Sequence, residues 1–291
     1  MTVLKWLLYI LLFLLVAVYI LLNFVISFSV SNEKTKAKYA TAEVPLAIKT
    51  GSVGGREYQF LETSKTPNDS TPVILFVHGA PGAAGMYDRF LMDGELLEKA
   101  ILISVDRLGY GHSGLGNAET SFAKQAEQLH NLISQYPNRE VVAVGHSFGG
   151  PIITQLAIDY PNDVAGLVLL APALDPEQEK YQGLAKIAKW KLTRWYFPEL
   201  IRVSADEKLT HVAELEKMKK NIGQVNLPVL HIHGDKDSVV PYGNLAFSEE
   251  HFNPAILQTV TFPGADHFLI EKADYPQTKQ ALLQFIDELG F

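Results

Sequence analysis

The sequence contains no cysteine among its 291 residues. This absence excludes disulfide bonds, thiolate metal sites and a cysteine nucleophile, and it leaves the redox compartment undetermined. Positive charge is also scarce, because 25 Lys and Arg residues stand against 32 Asp and Glu residues. The first 38 residues hold four lysines and one glutamate, so the rest of the chain carries a net charge of −10. Since an acidic surface repels a phosphate backbone, we expect no nucleic-acid partner.

One long apolar run stands near the amino terminus. From Trp6 to Val30 no residue is charged, and as a helix this run would rise roughly 37 Å, more than the ~30 Å of a bilayer core. A cleavable signal peptide has a shorter apolar region of about 7–15 residues. The run therefore predicts a single-pass membrane anchor over residues 6–30. Three lysines follow it and one precedes it, which favours a cytoplasmic position for the rest of the chain.

After a polar segment at 31–43, predicted to be a linker, short apolar runs alternate with amphipathic stretches. This alternation predicts an α/β fold over residues 44–291, with a mostly parallel central sheet covered by helices on both faces. The predicted strands lie at 44–49, 56–61, 72–77, 100–105, 141–144, 164–170, 227–232 and 255–262, and the first two form an antiparallel pair. The clearest predicted helices lie at 122–136, 151–160 and 276–289. In such sheets ligands bind beyond the carboxyl ends of the strands.

The alternation is interrupted once, between residues 175 and 226. This interval has helix-like stretches and no clear strand. About 50 additional residues between two core strands predict a helical cap over the strand ends.

The strongest chemical motif is Gly145-His146-Ser147-Phe148-Gly149. It follows an apolar strand and precedes a helix, which is the setting in which G-x-S-x-G places a nucleophilic serine on a sharp turn. The glycines are required because the turn brings backbone close to backbone. The motif predicts Ser147 as the nucleophile.

A serine nucleophile needs a general base that is itself oriented by a carboxylate. His267 follows the last predicted strand in the segment GADHF, at the same sheet edge as Ser147. Asp237, in the segment GDKDSVVP, precedes it and gives the chain order Ser, acid, His. Asp235 and Asp175 are the alternative acids at this stage.

The oxyanion formed during acyl transfer needs backbone donors. The residue after the nucleophile, Phe148, is expected to supply one N–H. Ala80, in the segment HGAPG after the strand at 72–77, is expected to supply the second, since Pro81 has no N–H. His231 and His233 share one strand face, but a metal site would need further ligand residues beside them, so no metal is predicted. No cofactor is implied.

The segments HGAPG, DRLGYGHSG, GHSFGG, GDKDSVVP and GADHF together resemble an α/β-hydrolase of the HGxPG group. The resemblance covers residues from about 44 to the end and implies Asp237 as the acid and His267 as the base. Ser147 stands where epoxide hydrolases and haloalkane dehalogenases carry aspartate, which argues against both activities.

The resulting hypothesis is a membrane-anchored serine hydrolase that cleaves carboxylic esters, with a small-molecule ester or lipid as substrate. Aminopeptidases, amidases and acyltransferases use the same residues and are alternatives, because the triad does not fix the acyl acceptor. An aminopeptidase would use a cap carboxylate such as Glu177, Glu179 or Glu199 to bind the substrate ammonium. A non-catalytic binding protein is the alternative from a different class. Natural substrate, membrane topology and oligomeric state are not determined by the sequence.

Overall fold

A computed structural model describes residues 2–21, 30–65, 67–180 and 182–290 of the chain. Its centre is one eight-stranded sheet with the strand order β1-β2-β4-β3-β5-β6-β7-β8. The first two neighbouring pairs, β1 with β2 and β2 with β4, are antiparallel, and all other pairs are parallel. The strands are β1 (Leu46–Val53), β2 (Arg56–Thr63), β3 (Val73–Val77), β4 (Ile101–Val105), β5 (Val141–His146), β6 (Gly166–Leu170), β7 (Val229–Gly234) and β8 (Leu257–Phe262).

Helices cover both faces of this sheet. Alternate residues of β3 enter two separate apolar cores: Leu75 packs in the core that includes α5 and α6, and Phe76 packs in the core that includes α4 and α10. The helices are α1 (Thr2–Ile20), α2 (Asn32–Thr41), α3 (Asp88–Leu91), α4 (Gly94–Lys99), α5 (Phe122–Ile133), α6 (Gly149–Asp159), α7 (Gln182–Lys189), α8 (Glu199–Lys219), α9 (Asn244–His251) and α10 (Tyr275–Leu289). The predicted parallel sheet with flanking helices is therefore confirmed.

Helices α7 and α8 lie between β6 and β7, in the interval where the sequence predicts a cap. Leu200 and Val203 on α8 pack with Tyr110, which follows β4, and with Ala80, which follows β3. The insertion therefore contacts the loops at the carboxyl ends of the strands, where the predicted site residues lie.

The segment 31–43, predicted as a linker, contains helix α2. The Ser31 hydroxyl accepts a hydrogen bond from the Lys34 N–H and caps the helix. Tyr39 is fully buried, and its hydroxyl donates to Asp88 Oδ1 over 2.6 Å. Distant partners hold this helix: Asp88 binds Tyr39 and Lys38, and Gln59 binds Asn32. None of these contacts produces a periodic pattern in the local sequence.

The prediction of a single-pass anchor over residues 6–30, and of a membrane localisation, is wrong. Within the described ranges, no helix combines the length and apolar character needed to cross a bilayer. Helix α1 has 19 residues and ends at Ile20, so it rises roughly 28 Å. It also includes Lys5, and its uncharged part spans only Trp6 to Ile20, or roughly 22 Å. Residues 22–29 of the predicted span lie outside the described residues.

Candidate active site

Ser147 lies at the sharp turn between β5 and α6. Its φ angle is +54°, in the left-handed region that residues with a side chain rarely adopt. Its N–H donates to the Leu170 carbonyl over 2.9 Å, and its own carbonyl accepts from the N–H groups of Gly150 at 3.0 Å and Ala173 at 3.2 Å. These bonds tie the turn to the end of β6 and hold the strained conformation at residue 147.

The two glycines of the motif stand where backbone segments meet. A Cβ added to Gly145 would lie 2.6 Å from the Gly149 carbonyl oxygen, and one added to Gly149 would lie 2.2 Å from the Val77 carbonyl oxygen. Real Cβ atoms do not approach backbone so closely, so only glycine fits at both positions. The start of α6 therefore sits directly against the end of β3.

His267 and Asp237 are in direct contact. His267 Nδ1 lies 2.7 Å from Asp237 Oδ2, and the other carboxylate oxygen accepts from the N–H groups of Val239 and Val240, both at 2.8 Å. Burial alone would raise the pKa of Asp237, but hydrogen bonds from His233, His267 and the Val240 N–H hold it well below its ordinary value. Because this carboxylate can only accept, Nδ1 of His267 carries the proton and Nε2 is its proton-accepting atom.

His267 also lies beside the nucleophile turn. The Nε2 atom of His146, the residue before Ser147, is 2.9 Å from the His267 carbonyl oxygen, and the two rings are 4.8 Å apart between centroids. In the described part of the chain, Ser147 Oγ makes no hydrogen bond with His267 or with any other group. The structure thus brings the loop of His267 to the turn of Ser147 with the hydroxyl unengaged.

The two alternative acids have other contacts. Asp235 Oδ1 accepts from the Gly264 N–H over 2.7 Å and ties two turns together. Asp175 accepts from the Glu177 N–H at 2.9 Å and from the Gln178 side chain at 2.5 Å. The imidazole of His267 therefore contacts the carboxylate of residue 237.

The predicted oxyanion donors flank the same turn. A Cβ on Gly79, next to Ala80, would lie 3.0 Å from Ser147 Cβ, so the HGAPG loop lies against the nucleophile turn. Phe148 is the N-cap residue of α6, whose first N–H groups have no partner within the helix. Among the described residues, neither Ala80 N–H nor Phe148 N–H donates to a carbonyl or a side chain. Both are available to a bound oxygen atom.

Comparisons with known proteins agree on the fold. A family model described as alpha/beta hydrolase fold matches residues 72–199. A monoacylglycerol lipase of Mycolicibacterium smegmatis is 23% identical over 253 residues, which cover 75% of this chain and 88% of that protein. The solved structure of a putative aryl esterase from Burkholderia cenocepacia superimposes with a TM-score of 0.68 at 18% identity, and the match covers 84% of this chain and 99% of that one. The structure of a membrane phospholipase A superimposes with a TM-score of 0.63 at 20% identity, and the match covers 98% of both chains. The chain has the α/β-hydrolase fold.

A buried arginine holds the HGAPG loop in this fold. Arg107 Nε donates to the His78 carbonyl over 2.9 Å and Nη2 donates to the Gly79 carbonyl over 3.0 Å. Its Nη1 lies 2.6 Å from Oε1 of Glu207, near the middle of α8, and both side chains are fully buried. One ion pair therefore connects the helical insertion to the loop that carries Ala80.

Arg107 belongs to the segment DRLGYGHSG that carries the family resemblance, whereas Glu207 was not singled out from the sequence. The two residues are 100 positions apart, and α8 carries several other acidic side chains. No local sequence motif marks Glu207, because its contact with Arg107 forms only when α8 packs on the loops.

The hydrolase shows no group of three or more His, Asp or Glu side chains arranged to hold a metal ion within its described residues. His231 and His233, weighed as a metal pair, bind Ser248, Val240 and each other instead.

Buried neutral histidines make the hydrolase sensitive to acid. Burial, reinforced by the neighbouring His267, lowers the pKa of His146 to about 3, and burial lowers the pKa values of His78 and His231 well below the ordinary range. In the unfolded chain these imidazoles bind a proton near pH 6.5. The contribution of these histidines to the free energy of unfolding is therefore fully present above pH 6.5 and is lost as the pH decreases, by about 1.4 kcal/mol per pH unit for each histidine.

We expect His146→Gln to flatten this dependence. Urea unfolding between pH 7 and pH 4.5 should show that the unfolding free energy declines less steeply with falling pH in the variant than in the wild type. The difference in slope should be at most that of one bound proton, about 1.4 kcal/mol per pH unit. Parallel curves for the two proteins would show that residue 146 does not contribute to the acid sensitivity.

Proposed function

We propose that the hydrolase cleaves carboxylic esters, with Ser147 as nucleophile, His267 as general base and Asp237 as the acid that orients it. The observation that supports this most is the 2.7 Å contact between His267 Nδ1 and Asp237 Oδ2, in a loop that touches the residue before Ser147. A base oriented by a carboxylate is what a serine hydroxyl needs to become nucleophilic at neutral pH.

In the first half of the proposed reaction, Ser147 Oγ attacks the acyl carbon and its proton moves to Nε2 of His267. Asp237 stabilises the resulting imidazolium. The negative charge on the former carbonyl oxygen is bound by the N–H groups of Ala80 and Phe148, helped by the positive end of the α6 dipole. His267 then passes the proton to the departing alcohol, which leaves an acyl group on Ser147.

In the second half, a water molecule gives a proton to Nε2 of His267 and attacks the acyl carbon. The same two N–H groups bind the second oxyanion. The bond to Ser147 Oγ breaks, the proton returns to the serine, and the carboxylic acid is released. Arg107 takes part only by holding the carbonyls of His78 and Gly79, which orients the loop that carries Ala80.

Similarity to a lipase favours a lipophilic substrate. The loop that carries Ala80 packs against the buried side chains of Tyr110, Leu200 and Val203, so the proposed oxyanion donor stands on an apolar core. The similarity to a protein named monoacylglycerol lipase supports the same substrate class.

A panel of p-nitrophenyl esters tests this proposal. We expect kcat/KM to rise from the acetate to esters of medium chain length, because each buried methylene contributes about 0.8 kcal/mol of transfer free energy. A fluorophosphonate probe should label the wild-type enzyme at Ser147. Preference for the acetate would contradict the lipophilic substrate, and the absence of both turnover and labelling would contradict the ester hydrolase itself.

The alternative activities predict other outcomes in the same assays. An aminopeptidase needs an unpaired carboxylate for the substrate ammonium, whereas the Glu179 carboxylate is already paired with Lys208 and His211. An acyltransferase would form a new ester when an alcohol is added to the assay. A non-catalytic binding protein would be stabilised thermally by an ester without hydrolysing it.

A further inference from the structure

A line of buried polar side chains lies behind Asp237 and has no part in the proposed reaction. It consists of His231 and His233 on β7 and Ser248 on α9, and each of the three residues is completely shielded from solvent. Buried polar groups are costly unless they are hydrogen-bonded, so their partners show what they do.

Consecutive hydrogen bonds run along this line to the Val240 carbonyl, beside the carboxylate. Ser248 Oγ lies 2.8 Å from Nδ1 of His231, and His231 Nε2 lies 3.0 Å from Nδ1 of His233. His233 Nε2 lies 3.2 Å from the Val240 carbonyl oxygen and 3.3 Å from Asp237 Oδ2. The last distance ends on the same carboxylate oxygen that contacts His267.

The chemistry of the partners determines where the protons are. The Val240 carbonyl and the Asp237 carboxylate can only accept, so Nε2 of His233 carries a proton. Burial holds the pKa of His231 well below its ordinary value, and in the arrangement in which His233 is also neutral its Nδ1 accepts from Nε2–H of His231. Nδ1 of His231 then accepts from the Ser248 hydroxyl. Every donor along the line points towards Asp237.

We infer that His233 is a positioning residue of the active site: its Nε2–H, oriented by His231 and Ser248, holds Asp237 Oδ2 in place for His267. This inference rests on the proposed function of Ser147, Asp237 and His267. Asp237 then receives four donors, two backbone N–H groups at Oδ1 and two imidazoles at Oδ2.

The inference predicts that loss of the His233 donor changes the pH dependence of kcat/KM. The groups that face Asp237 are His233 from β7, His267 from the loop after β8 and the N–H groups of residues 239 and 240. His267 is faced by Asp237 and by His146. Without the His233 donor, more of the carboxylate charge acts on His267 and stabilises its imidazolium, which cannot act as the base. The acid limb of the kcat/KM profile should move to higher pH.

Three variants of the full chain test the inference on a p-nitrophenyl ester. His233→Phe keeps a ring but removes the donor, and His233→Gln retains an N–H near the position of Nε2. His130→Phe is the matched control, because His130 is partly exposed and pairs with Asp163 at the surface. We expect His233→Phe to lower kcat/KM by about 10–100-fold, the loss of one hydrogen bond to a buried charge, and to move the acid limb upwards. His233→Gln should restore most of the activity, and His130→Phe should match the wild type.

Wild-type kinetics for His233→Phe would overturn the inference. Equal losses in His233→Phe and His233→Gln with an unmoved acid limb would also overturn it, because they indicate a packing role alone. If His233→Phe does not fold, 15N NMR of the histidines in the Ser147→Ala protein decides: the Nε2–H tautomer at both His231 and His233 supports the inference, and any other form at His233 contradicts it. Absence of wild-type turnover would contradict the proposed function instead, a result separable from the tautomers.

Discussion

Ser147→Ala is expected to lower the turnover of p-nitrophenyl esters by about 10⁴–10⁶-fold, the effect of removing the nucleophile from a triad that acts as a unit. The remaining activity would come from binding and from the N–H groups of Ala80 and Phe148. The variant should fold normally, because Ser147 Oγ makes no hydrogen bond in the described part of the chain. Fluorophosphonate labelling should disappear with the turnover.

Ser52→Ala provides the matched control, since Ser52 is exposed on the edge strand β1. Its turnover and labelling should equal those of the wild type. Turnover by Ser147→Ala within tenfold of the wild type, in a preparation free of other hydrolases, would exclude residue 147 as the nucleophile.

Glu207→Gln is expected to have the largest effect on stability. The substitution leaves the Arg107 guanidinium, which is completely buried, without its anionic partner. Removing one member of a buried ion pair typically costs about 3–5 kcal/mol of unfolding free energy. Because Arg107 also holds the carbonyls of His78 and Gly79, kcat/KM should fall in the same variant. Urea unfolding and ester kinetics measure both effects.

Three further proteins make this prediction specific: Glu216→Gln, Arg107→Met, and the double variant of Arg107→Met with Glu207→Gln. Glu216→Gln changes an exposed glutamate on the same helix and should alter the unfolding free energy by less than about 0.5 kcal/mol. The double variant Arg107→Met with Glu207→Gln should lose less unfolding free energy than the sum of the losses in Arg107→Met and in Glu207→Gln, because the two side chains interact directly. Additive losses would mean that the ion pair does not couple α8 to the HGAPG loop.

The positions of the strands along the chain and of the chemical motifs could be predicted from the sequence because both are local. Apolar runs such as the one ending at Val77 have only one environment that suits them, a sheet covered on both faces. Gly145 and Gly149 fix a turn whose backbone contacts exclude a Cβ. Polar motifs placed after these strands meet at one sheet edge, and the resemblance to the HGxPG group then indicated Asp237, rather than Asp235 or Asp175, as the partner of His267.

Interactions between distant residues could not be predicted in this way. Arg107 and Glu207 are 100 positions apart, and Tyr39 and Asp88 are 49 apart. Helix α2 depends on the second contact, and its polar sequence shows no apolar face. His233 was visible in the sequence, but its role depends on the backbone turn at 237–240, which brings Asp237 Oδ2 within 3.3 Å of its Nε2.

The membrane prediction failed for a different reason. The apolar run was treated as one continuous helix from Trp6 to Val30, whereas the described helix α1 spans Thr2–Ile20 and contains Lys5. Residues 22–29 of the run lie outside the described residues. In the structure α1 contacts the turn before α8, where the Tyr196 hydroxyl donates to the Leu15 carbonyl over 2.6 Å.

The most direct measurement is to trap the acyl-enzyme. The wild-type protein, mixed with a medium-chain p-nitrophenyl ester and stopped in acid within the first turnover, should carry the acyl group on Ser147 in the digested peptide that contains residues 145–149. The same treatment of His267→Ala should give little acylation, because the hydroxyl then has no base. Rapid ester turnover with an unmodified Ser147, or with the acyl group on another residue, would contradict the account.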